Sequence, residues 1–245
     1  MPEIHIKAEE VFSLGNFSVT NSLLTSFLVS ALLLSLAFFI RKNLAFVPGK
    51  IQNFFEFIVE NILKLMDSVL GERKFSEKYL PLVATIFLFV LASNWLGLIP
   101  GVGSLGLQKE HFVAIFRPPS TDLNFTIALA AIAVFAANLL GSLVVGFGKH
   151  FSRFFTLKNP IFSFVGLLEL VSEFIKIVSF SFRLFGNIFA GKVLLLVIGF
   201  LVPYFIPLPF LFLEMFVGFI QAFIFAMLTL VFIAMAVQTH EHGAV

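Results

Sequence analysis

The sequence predicts an all-α polytopic membrane protein, with about five membrane helices and one amphipathic helix on the cytoplasmic surface. Three observations carry that reading. The 245 residues are 59% hydrophobic and only 12% charged, against roughly 25% charged in an average soluble domain. Mean hydropathy is +1.04, and the 36 Phe with the long uncharged runs are more apolar surface than one soluble core can hide. Several of those runs reach the ~20 residues that a bilayer-spanning helix needs. The expected organisation is one membrane domain over residues 1–245, with lipid as its main solvent. A formal charge of +2 is too weak to point to nucleic acid. The absence of Cys excludes disulfides, thiolate metal sites and thiol nucleophiles.

Each element follows in order. Ser22 to Ile40, Leu80 to Pro100 and Leu123 to Phe147 contain no Asp, Glu, Lys or Arg and read as spans. The first is expected to be a retained helix rather than a signal peptide, because Glu3, Glu9 and Glu10 precede it in place of a basic leader. Between the first two spans, Ile51, Phe54, Phe55, Ile58, Ile62, Leu65, Met66 and Val69 recur every three or four residues. That spacing predicts an amphipathic surface helix over 51–70. From Ile161 to Val237 the chain is apolar apart from a break at Pro203, Pro207 and Pro209, which gives segments 161–201 and 210–237. About 41 residues at 1.5 Å each make roughly 60 Å of helix, twice the ~30 Å hydrocarbon layer. The fourth span is therefore expected to tilt or bend, forming a hairpin with the fifth.

Orientation follows from the basic residues near span ends. Arg41, Lys42, Lys50, Lys64, Arg73, Lys74 and Lys78 fall in one connection, and Lys149, Arg153 and Lys158 in another. Both are expected to be cytoplasmic, with the N-terminus outside and the tail from Gln238 inside.

Ionisable groups inside a bilayer are costly and mark function by default. On the fourth span, Glu169, Ser172, Lys176, Ser179 and Asn187 all project within about 40° of Arg183 on a helical wheel. Glu173 lies at the edge of this stripe, and Lys192 falls on the opposite face. Lys176 can pair with Glu169 or Glu173 as a helix-surface ion pair, but Arg183 cannot be neutralised by deprotonation. A fixed charge beside carboxylates points to ion or proton handling. On the fifth span, Glu214 and Gln221 make a second polar line facing the first. Asn94 and Asn138 read as interhelical hydrogen-bonding glue. Asp122 either joins an outer aqueous path or caps the third span. His5, His111, His150 and the His240-Glu241-His242 tail read as solvated, and no metal site or cofactor is expected. No G-x-x-x-x-G-K-[ST] loop is present, so nucleotide chemistry is not expected in this chain.

The run SFRLFGNIFAG from Ser181 to Gly191 resembles the signature of subunit a of the F-type ATP synthase membrane sector. NWLGLIPG from Asn94, PSTDLN from Pro119 and QAFIF from Gln221 match further parts of that family in the same order. The resemblance implies a non-catalytic stator subunit, a proton channel beside a rotating c-subunit ring, held with b subunits and the rest of the synthase in a bacterial plasma membrane. Arg183 matches the family's essential arginine, which displaces the ion from the ring carboxylate and blocks a leak between two offset half-channels. Glu169 and Ser172 match positions near the cytoplasmic half-channel, and Asn187 and Gln221 match partners around the arginine. Lys192 and Glu214 match the positions where members place an acidic residue and a histidine for the outer half-channel, and Lys192 departs from that pattern. An opposite-charge pair of Lys192 with Glu214 is expected there, although helical phase turns Lys192 away from Arg183. A stand-alone secondary transporter or ion channel is the rival reading. It calls for internal repeats, and the sequence has none.

Overall fold

The structure is a computed structural model describing residues 8–14, 17–45, 48–99, 106–108, 112–146, 160–202 and 205–238. Its helices are α1 (Asn21–Lys42), α2 (Lys50–Leu70), α3 (Arg73–Leu96), α4 (Leu123–Val145), α5 (Pro160–Leu201) and α6 (Pro207–Gln238). All except α2 are long and apolar enough to cross a membrane. The chain is thus an all-α polytopic membrane protein. Lys149, Arg153, Lys158, Pro203 and all five His lie outside the described residues.

Helix boundaries follow local chemistry. Thr20 caps α1 by accepting a hydrogen bond from the Leu23 amide at 3.3 Å, and Arg41 and Lys42 close its last turn, where cations complement the helix dipole. α2 ends at Gly71, whose φ of 82° is the left-handed conformation that glycine adopts without strain. Two boundaries differ from the sequence expectation. α3 begins at Arg73 rather than Leu80, so Arg73, Lys74 and Lys78 sit on a helix and not in a connection. The cause is Arg73 itself, whose guanidinium reaches Glu60 at 2.8 Å, Asp67 at 3.0 Å and Glu77 at 3.3 Å, stapling α2 to the first turn of α3. α6 begins at Pro207, because proline fits a helix's first turn, where its missing amide costs nothing.

Two short antiparallel hairpins are additions the sequence reading did not contain: β1 (Glu10–Leu14) with β2 (Phe17–Thr20), and β3 (Gly106–Gln108) with β4 (Phe112–Ala114). A signal for the first exists, since Gly15-Asn16 separates two short runs in the manner of a two-residue turn.

The core lies where α3, α4, α5 and α6 meet. Ala130, Ala133 and Ala137 on α4 are fully buried at helical spacing, and Gly141 continues the row. In lipid, apolar burial does not drive helices together, so small residues that allow close approach do the work. Phe180 of α5 fills the space they leave, with its ring 4.9 Å from Phe225 and 5.1 Å from Phe232 of α6. A Cβ at Gly141 would lie 2.6 Å from the Ala236 Cβ. Gly141→Ala is therefore expected to cost about 1–3 kcal/mol through overpacking, read as a lower denaturation midpoint in detergent. An unchanged midpoint would show that α4 and α6 part freely at that level.

α1 stands apart, with Phe27 68%, Leu34 72% and Phe38 71% exposed, a surface suited to lipid rather than water. α2 docks through Leu63, Met66 and Leu70, while Ile51 and Phe54 of its apolar stripe stay open.

Candidate functional site

α5 presents two faces. Phe180, Ser181, Leu184, Ile188 and Gly191 turn inward. The opposite face carries Ser172, Ser179, Arg183, Gly186 and Asn187, all exposed, set among exposed Phe174, Ile175, Val178 and Phe182. The polar stripe expected from periodicity thus lies on an uncovered apolar surface. Among the described residues Arg183 has no ion-pair partner. At the edge of this face the Asn187 side-chain amide donates to Gln221 Oε1 at 2.8 Å, and Gln221 is itself buried. The two expected polar lines therefore do meet, and Asn187 is the residue that joins them.

Towards the α2 end of the bundle, Lys176 Nζ pairs with Glu173 Oε1 at 2.6 Å and sits 4.7 Å from the Phe232 ring centroid. The lysine's partner is therefore Glu173 rather than Glu169. A residue assigned only to glue explains the choice: Asn138 of α4 donates to Glu173 Oε2 at 2.9 Å, holding that carboxylate over the lysine. Glu169 is half-buried one turn further along. Asn94 does bridge elements, donating to the Gly218 carbonyl at 3.1 Å and accepting from Ser120 at 2.7 Å. Its neighbour Trp95 donates to the Met215 carbonyl at 3.0 Å.

At the opposite end, the carboxyl of buried Glu214 sits against the Cα of Gly191, in the space a Cβ would fill. The expected pair with Lys192 is not made, and no ion pair joins these residues. One residue on a helix is a rotation of ~100°, so when Gly191 faces α6 its neighbour Lys192 points elsewhere. Lys192 instead lies within electrostatic reach of Arg117 and Glu9. Asp122 does cap α4, accepting from the Asn124 amide at 3.1 Å with one oxygen, and its other oxygen accepts from Ser22 at 2.6 Å.

Arg117 went unrecognised in the sequence. It is 5% exposed, with Nε donating to Thr121 Oγ1 at 3.0 Å and a terminal nitrogen donating to the Thr121 carbonyl at 3.1 Å. Burial pulls its pKa below the ordinary guanidinium value, and Asp122 and Glu9 oppose that shift. The available signal was a lone Arg in a mostly apolar loop, two residues before the PSTDLN motif.

Comparison with known proteins gives the arrangement a family. Residues 23–234 match the model of the ATP synthase A chain. A protein of Helicobacter pylori strain P12 named ATP synthase subunit a is 38% identical over 237 residues, covering 94% of this chain and 97% of its own length. Proteins of the same name from Campylobacter concisus, 37% identical with 88% of both chains covered, and Moorella thermoacetica, 30% identical with 96% and 99% covered, agree. The match spans Arg183, Asn187, Gln221 and Glu214 together with the helices that place them, and the chain belongs to the ATP synthase A chain family.

Proposed function

We propose that this membrane-sector subunit of an F-type ATP synthase conducts protons through two offset half-channels to and from the carboxylates of a rotating c-subunit ring. The observation that carries this reading is Arg183, a permanent cation inside a membrane-spanning helix, exposed and without an ion-pair partner among the described residues. An intramembrane guanidinium is costly unless a counter-charge meets it. Exposure on the outer face of α5 requires that counter-charge to come from another chain. Gly186 supports a close-fitting partner there, since a Cβ at this position would meet nothing within 4 Å in this chain. Own packing therefore does not call for the glycine, whereas a helix passing over Arg183 does.

In this reading Glu169, Ser172 and the Glu173–Lys176 pair line the path to the cytoplasm, and Asn187 and Gln221 steady the surroundings of Arg183. Glu214 is the proton relay of the outer path. The chain has no ATP site and assembles with the c ring, b subunits and the soluble sector in a bacterial plasma membrane. In this reading the end of the bundle that holds the basic residues around α2 is cytoplasmic and the N-terminus is outside, in keeping with the tendency of cations to stay on the inner side. A lone transporter has no use for an unpaired guanidinium on its lipid-facing side.

The test uses the natural lack of Cys. In the assembled synthase, cysteine at Ser172 or Glu169 should react with hydrophilic thiol reagents added on the cytoplasmic side. Cysteine at Gly186 should cross-link to one placed beside the ring carboxylate. Labelling of 172 from outside only reverses the topology, and the absence of any cross-link from 186 to the c subunit removes the ring from this face.

A further inference from the structure

By helical phase Lys176 lies about 20° from Arg183 and about 10 Å from it along α5, on the face where Ser172, Ile175, Ser179 and Arg183 are exposed. Its side chain does not follow that face. Only 24% of it is exposed, and Nζ is drawn in over the Phe232 ring of α6, 4.7 Å from the centroid. Phe232 in turn stacks on Phe180 at 5.1 Å, so the ammonium has an anchored aromatic seat on the inner side.

Glu173 draws the lysine in, and Asn138 aims Glu173. The carboxylate accepts from Lys176 Nζ with Oε1 at 2.6 Å and from the Asn138 side-chain amide with Oε2 at 2.9 Å. The same amide nitrogen donates to the Val134 carbonyl one turn earlier on α4, at 3.0 Å, so α4 sets the direction in which it donates. An i,i+3 ion pair by itself holds weakly, because two long side chains must be kept in one geometry. A charge-assisted hydrogen bond from a residue already fixed on another helix supplies that constraint. The polar chain thus crosses three helices, from Asn138 of α4 through the Glu173–Lys176 pair of α5 to Phe232 of α6, and every link in it is a direct contact.

We propose that Asn138 is a positioning residue for proton transfer: by aiming Glu173 it draws Lys176 off the outer face of α5, so that a ring carboxylate passing this face meets Arg183 without a competing ammonium. This rests on the half-channel reading above. Released from Glu173, the Lys176 ammonium lies along the stripe between Arg183 and the α2 end of the bundle. There it attracts the same ionised carboxylate that Arg183 must receive, and each step of the ring waits for that carboxylate to leave it. Asn138 belongs to α4 and acts only through Glu173.

The test is made on the complete synthase in liposomes, driven by an imposed proton gradient, with c-subunit co-purification as the assembly control. Asn138→Ser keeps a hydroxyl for the Val134 carbonyl but is one bond too short for Glu173. It should lower the rate of ATP synthesis roughly fivefold, the population shift that one lost hydrogen bond to a charged group supports. Asn138→Leu, close in size and without a donor, should do the same, and either variant carries the test if the other fails to assemble. Lys176→Gln removes the ammonium and keeps an amide donor for Glu173, so it should be less impaired than the Asn138 variants. Combined with Asn138→Ser or Asn138→Leu, it should bring synthesis back to the rate of Lys176→Gln alone. A mere packing defect between α4 and α5 is not repaired by removing a charge from α5, so a double variant no faster than its Asn138 parent would overturn the assignment. Full rates in both Asn138 variants, or Lys176→Gln slower than they are, would do the same. Arg183→Ala measured alongside separates the two readings: if it retains synthesis, the half-channel reading falls, and if it abolishes synthesis while the Asn138 variants are normal, only the role of Asn138 falls.

Discussion

Arg183→Ala is expected to abolish coupled ATP synthesis, by roughly 100-fold or more, the scale on which a preorganised charge at a reacting centre matters. The complex should still assemble. Arg183 is exposed and takes part in neither core cluster, so the truncation leaves no cavity and frees no buried partner. Arg183→Lys should recover little, because an ammonium is a point charge without the planar fork and loses its proton readily in apolar surroundings. The measurement is proton-driven synthesis with c-subunit co-purification as the assembly control. Near-normal synthesis in the Ala variant would refute the role given to this residue.

The second large effect concerns the seat of Glu214. A Cβ on Gly191 would overlap the Glu214 carboxyl group, and Glu214 is buried. Gly191→Ala should therefore move the Glu214 carboxylate, the relay in the proposed function, or push α5 from α6, cutting synthesis roughly tenfold, the rate equivalent of the lower end of an overpacking penalty of about 1–3 kcal/mol. Shortening the acid by one methylene in Gly191→Ala with Glu214→Asp should recover part of the loss. Gly186→Ala is a useful contrast, since nothing in this chain opposes that methyl group, and any loss there reports the partner. Full activity in Gly191→Ala would mean that the position of Glu214 is not critical.

Much of this was legible in the residues. The spans follow from runs without charge, and α5 and its stripe follow from period-3.6 placement of Arg183, Ser172, Ser179 and Asn187. The small-residue row of α4 was also readable, though its consequence, the seating of Phe180, was not. The hairpins escaped because segments of three to five residues carry too few positions for a period to declare itself, and docking stabilises them more than their own pairing. Arg117 escaped because one charged residue in a loop has no periodic context. Its meaning lies in Thr121 and Thr25, which the chain brings to it from both sides.

Sequence by itself determined that this chain lives in lipid, which segments are long and apolar enough to cross it, which face of α5 is polar, and through four ordered motifs, which family it joins. Periodicity could do this because it compares positions on one helix with each other. The tertiary structure decided who stands opposite: Asn138 over Glu173, Gln221 beside Asn187, Gly191 rather than Lys192 against Glu214, and Thr25 beside Arg117. Those choices depend on the rotation and crossing of neighbouring helices. A turn of ~100° between adjacent residues is enough to exchange one partner for another, and the packing of small residues between helices, not the pattern along any one of them, sets that angle.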